Sequence, residues 1–239
     1  MKIRSLVLAL AALAPLHAQA DAIEDEFVSA NLISVFYHEM GHALIDILRL
    51  PVFGQEEDAA DTASILFVND TFNDEDALSI AYDAALGFAA AAENEGSIDE
   101  TAWDVHGASL QRFFNLVCIF YGGDVDGRDD FAEDMGLPAE RAVTCQEEFE
   151  LADDSWGPVF DELYEAGAGE SLKYSGPAGS FTHDIIAAEV DAINGLMSLP
   201  EDLEISVEPC GEANAFYDSS LVKITICSEF EPYLRKIAP

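Results

Sequence analysis

Residues 31–49 read NLISVFYHEMGHALIDILR, and inside them His38-Glu39-Met40-Gly41-His42 sets both a local fold and a chemistry. The run ends before Pro51, so it predicts one helix over 31–49. On that helix His38 and His42 stand one turn apart on one face, where both imidazoles can reach a single metal ion and Glu39 projects beside them. Catalytic zinc takes three protein ligands and keeps a fourth position for water, so a two-histidine pair is one ligand short. The segment Glu57-Asp58-Ala59-Ala60-Asp61 offers the missing carboxylate. On a second helix, over 57–67, Glu57 and Asp61 are again four apart: Glu57 as the third ligand of one zinc ion per chain, Asp61 behind a ligating imidazole to fix its tautomer. Glu56 and Asp58 read as solvated acids suited to the positive end of that helix.

Working outward, further helices are expected over 75–93, 109–121, 138–152 and 181–198, with loops at Gly122-Gly123, Gly167–Gly169 and Gly176–Gly179. The only β signal is a hairpin, Asn214–Tyr217 and Leu221–Ile226, turning at Asp218-Ser219-Ser220 between Cys210 and Cys227. Four cysteines allow three pairings, and Cys118 with Cys145 and Cys210 with Cys227 is favoured because the second bridge clamps the hairpin ends. The fold class is therefore α+β, mainly helical, a single domain over 21–239 with a small disulfide-stapled β element.

Residues 1–20 read as a signal peptide: Lys2 and Arg4, an apolar core from Leu6 to Ala14, then Ala18-Gln19-Ala20. The cysteines agree with the secreted or periplasmic location this implies. With 10 Lys+Arg against 47 Asp+Glu the formal charge is −37, which excludes nucleic acid and, once the leader is removed, membrane surfaces as partners.

Asp104-Val105-His106 follows, with Arg112 six residues on. Alone, His106 reads as a structural histidine and Arg112 as half of an ion pair. The order H-E-x-x-H, E-x-x-A-D, D-V-H-x5-R, together with Asn214-Ala215-Phe216-Tyr217, resembles the neprilysin-type zinc peptidases, the glutamate-zincin class. The resemblance is local. It implies a zincin-like fold in which His38, His42 and Glu57 hold zinc, Glu39 is the general base, and Asp61 orients a histidine. It further implies that His106, held by Asp104, stabilises the oxyanion, that Arg112 binds a substrate carbonyl, and that Asn214 and Ala215 hydrogen-bond the substrate backbone. In that family the edge strand precedes the histidine motif, whereas here it follows near the C-terminus, and the chain is far shorter. The whole-chain pattern resembles more closely a bacterial family of metallopeptidases whose function is unknown. The expected activity is hydrolysis of a peptide or protein substrate. Two other readings use the same site: a non-catalytic zinc-binding or protein-interaction module, and an amidase acting on cell-wall peptide. Glu39 separates the first from an enzyme, because a module that needs only the metal has no use for a base.

Overall fold

A computed structural model describes residues 16–95 and 104–239. Its elements run α1 (Leu16–Leu48), α2 (Glu56–Thr71), α3 (Asp74–Asn94), α4 (Ser109–Gly123), α5 (Asp129–Asp134), α6 (Ala139–Ala166), β1 (Leu172–Ser175), α7 (Phe181–Leu196), β2 (Leu203–Glu208), β3 (Ala215–Asp218), β4 (Lys223–Cys227) and α8 (Phe230–Ile237). The fold is α+β and mainly helical, as expected. The helix expected over 31–49 is the second half of α1, which begins inside the segment read as a leader; residues 1–15 of that segment lie outside the described residues.

α1 is the centre of the molecule. Phe27, Val28, Leu32, Phe36, Tyr37, Met40, Ala43 and Leu44 are all buried, too many directions for a single apolar stripe. A helix that is apolar nearly all round belongs inside, and α1 accordingly packs against α2, α3, α7, α8, β3 and β4. The helix also carries His38 and Glu39 into the interior, where polar groups must find partners or cost free energy.

The remaining helices match in kind and differ at their ends. Gly122 and Gly123, read as a loop, close α4 instead. A Cβ on Gly122 would lie 2.1 Å from the carbonyl oxygen of Cys145, so this glycine marks the close approach of α4 and α6 that the Cys118–Cys145 bridge also ties. α6 runs on past residue 152 and through Pro158, because Trp156, Phe160 and Leu163 continue its buried face. It stops at Gly167, whose φ of +74° an L side chain adopts only with strain. Ser180 caps α7 by accepting from the His183 backbone N–H, and the His183 ring bonds the Tyr174 hydroxyl at 2.9 Å.

The hairpin of β3 and β4 forms with Ala215 opposite Ile226, and Cys210–Cys227 bridges it as expected. It belongs to a larger four-stranded sheet of order β1-β2-β4-β3, in which β1, β2 and β4 are parallel and β3 is an antiparallel edge. β1 is only four residues long and reaches β2 through a helical crossover, α7, so neither strand leaves a clear local signal.

Candidate metal centre

His38 Nε2, His42 Nε2 and Glu57 Oε2 converge on one point, lying 3.2–3.3 Å from one another. Ligands at zinc bond lengths around a tetrahedron are separated by about 3.3–3.5 Å, so the three donors form a ready-made tetrahedral face. This His-His-Glu group could hold a metal ion, and its donor set of two imidazoles and a carboxylate suits zinc.

Behind each imidazole stands a carboxylate. His38 Nδ1 lies 2.8 Å from Asp61 Oδ1, somewhat off the line of a good hydrogen bond and with no other partner. His42 Nδ1 lies 2.8 Å from Glu56 Oε1. Glu56 thus stands behind His42 as Asp61 stands behind His38, and is not merely a solvated residue at the helix start. The need for a partner on every ligating imidazole was the signal for it. Asp61 is in turn gripped by Arg112, whose Nε and Nη2 donate to its two oxygens at 2.7 Å. The guanidinium also lies over the Phe88 ring, 4.5 Å from its centroid. The structure thus realises the carboxylate pairing that the sequence left open for Arg112, and leaves only part of its fork for any carbonyl.

His106 approaches from the segment before α4. Asp104 Oδ1 accepts from both the His106 backbone N–H and its ring Nδ1, a local turn that aims Nε2 at Glu57 Oε2, 2.9 Å away. Glu39 is 5% exposed and faces the same cleft. β3, through Ala215, Phe216 and Tyr217, and Asn214 just before it form a wall of that cleft. Asn214 spends its carbonyl on the Cys227 N–H, so ladder alternation turns the backbone groups of Ala215 and Tyr217 away from β4. The Tyr217 hydroxyl bonds Asp46 Oδ2 of α1 at 2.8 Å. The strand's late place in the chain does not keep it from the histidine helix. The cleft encloses about 1170 Å³.

The electrostatics follow from this crowding. Hydrogen bonds from His106, His38 and His42 hold the Glu57 carboxyl far below the usual carboxylate range. Burial would raise Asp61, but Arg112 and His38 outweigh it and bring it to about 2. Burial opposes a charged His38, yet Asp61 and Glu57 together lift it to about 9. Burial raises Glu39 above an ordinary glutamate.

Gly41 decides how closely α1 and α2 approach: a Cβ there would stand 2.9 Å from Ala60 Cα, a backbone atom that cannot rotate away. Gly41→Ala is expected to push α2 outward, destabilising the fold by about 1–3 kcal/mol. Metal affinity should fall with it, because Glu57 rides on α2. Thermal unfolding and metal titration check both; unchanged affinity would show that Glu57 tolerates the shift.

Two disulfides and no free cysteine among the described residues fit an extracytoplasmic chain. No helix among the described residues is long and apolar enough to cross a membrane. Neither a curated protein nor a solved structure matches the chain. A family model, DUF4344, described as "Putative metallopeptidase", matches residues 9–159 and 181–238. Those two spans take in α1 through α5, most of α6, and everything from α7 to α8, so the chain belongs to this family.

Proposed function

We propose that the protein is a zinc-dependent metallopeptidase of the glutamate-zincin type, secreted or periplasmic, that hydrolyses peptide bonds in the cleft between α1, α2 and β3. The observation that carries this reading is the tetrahedral spacing of His38 Nε2, His42 Nε2 and Glu57 Oε2 beside a buried Glu39. The local likeness to the neprilysin-type peptidases supports it.

His38, His42 and Glu57 would hold the ion. When bound, zinc supplies a water acidified to a pKa of roughly 7 and an electrophile for the scissile carbonyl. Glu39 takes the proton of the attacking water and delivers it to the leaving amine; its raised pKa suits a group that must do both near neutrality. His106, fixed by Asp104 and 2.9 Å from the Glu57 oxygen, donates to the carbonyl oxygen as negative charge grows there. Arg112 keeps Asp61 on His38 and offers its remaining N–H to a substrate carbonyl. The outward backbone groups of Ala215 and the Asn214 side chain pair with the substrate main chain, extending the sheet by one strand. Such pairing favours a peptide over other amides.

Loading the site has a pH signature. Below about 9 the metal-free His38 carries a proton that must leave before the nitrogen can ligate, whereas Glu57 is already ionised. Zinc binding at pH 7 should therefore release protons, and affinity should rise with pH up to about 9. Calorimetry in buffers of different ionisation enthalpy checks this; a buffer-independent heat would mean that His38 is neutral beforehand.

The test of the function itself is cleavage of a mixed peptide library by the purified protein, abolished by a chelator and restored by zinc. Zinc bound without any cleavage would favour the binding-module reading.

A further inference from the structure

The cleft carries an arginine that the hydrolytic chemistry does not use. Arg49 is exposed on its wall. Every other arginine among the described residues is engaged: Arg112 with Asp61, Arg141 with Glu148, Arg235 with Glu24, Asp25 and Glu231, and Arg128 with the Phe120 carbonyl and Asn69. Arg49 alone among them forms neither an ion pair nor a side-chain hydrogen bond. Among the described residues its guanidinium has no partner, in a chain holding 47 Asp+Glu against 10 Lys+Arg.

Its backbone is equally particular. The Arg49 N–H bonds Asp46 O at 3.1 Å and the Leu50 N–H bonds Ile45 O at 2.9 Å, so α1 closes in a Schellman motif with Arg49 at the position that ordinarily falls to glycine. Arg49 accepts the left-handed conformation, with φ at +54°. A basic residue in the last turn would serve the helix dipole equally well without that strain. What the left-handed position sets is the direction of the Cα–Cβ bond, and the side chain that follows it lines this end of the cleft. The Tyr217 hydroxyl anchors the edge strand to Asp46, one turn away, so Arg49 and β3 share that end.

The spacing sets a distance. Arg49 follows His42 by seven residues, about 10 Å along the helix axis. An extended peptide advances about 3.3 Å per residue. We propose that Arg49 is an anion subsite of the cleft, binding a carboxylate of the peptide substrate about three residues from the scissile bond. That carboxylate is either an Asp or Glu side chain or the peptide's own C-terminus, both of which match the planar guanidinium fork. The inference rests on the peptidase reading above.

The test compares wild type, Arg49→Gly and Arg49→Gln on peptides in which one Asp is moved through every position against Asn, each made with a free and an amidated C-terminus. Arg49→Gly also relieves the left-handed strain, so a misfolded helix end does not mimic the result. The wild type is expected to prefer the carboxylate about three residues from the cleaved bond by about tenfold or more in kcat/KM. In both variants that ratio should fall to about one. Preference that follows internal Asp identifies a side chain, and preference that follows the free acid identifies the terminus. No preference in the wild type, or the same ratio in the variants, overturns the proposal. If no peptide is cleaved at all, the peptidase reading fails, and fluorescence anisotropy of the same labelled peptides still decides the subsite. Asp-dependent binding lost in both variants upholds it, and equal binding of Asp and Asn peptides overturns it.

Discussion

Glu39→Gln is expected to keep zinc bound and to lower kcat by about 10²–10⁴-fold, the range that a positioned proton-transfer group supplies. The substitution preserves volume at a site only 5% exposed, so it leaves no cavity and removes only the carboxylate's capacity to take a proton. The edge strand keeps its own anchor on α1, the Tyr217 hydroxyl on Asp46. Metal analysis and single-turnover kinetics on the same preparation check it. Loss of zinc with turnover would put Glu39 in the coordination shell or the structural core; undiminished turnover would send the base role to another group.

Glu57→Ala is expected to act at the earlier step, lowering zinc affinity by more than about 100-fold and activity with it. Substituting even the partner behind a ligand typically costs 10- to 100-fold, and here the ligand itself is removed. The same change leaves His38, His42 and His106 without the carboxylate they share, so the metal-free protein loses its central acceptor as well. A competitive titration against a chromogenic chelator measures the affinity. Retained tight binding would place the third ligand elsewhere, with Glu56 as the first alternative, although it would have to leave His42 Nδ1 to reach the ion.

His38 and His42 were legible in the sequence because a spacing of four on a helix fixes their relation without tertiary information, and Glu57 because the same spacing recurs with Asp61. Glu56 was not, since an acid at a helix start in a chain of charge −37 already has an adequate explanation. Arg112 was half legible: its reach for a carboxylate was foreseeable, but the choice of Asp61, 51 residues away, is a tertiary fact. β1 and β2 were missed because their pairing is parallel and depends on a crossover, whereas the disulfide-flanked hairpin declared itself locally. The left-handed conformation at Arg49 has no sequence signal, since glycine is the residue that ordinarily announces it.

Zinc-edge X-ray absorption of the purified protein, beside its metal stoichiometry, addresses the central claim most directly. The account predicts one zinc per chain in a four-coordinate shell of two imidazole nitrogens and light oxygen ligands, with one imidazole lost in His42→Ala. Absence of zinc, an all-oxygen shell, or a spectrum unchanged by that substitution would contradict it.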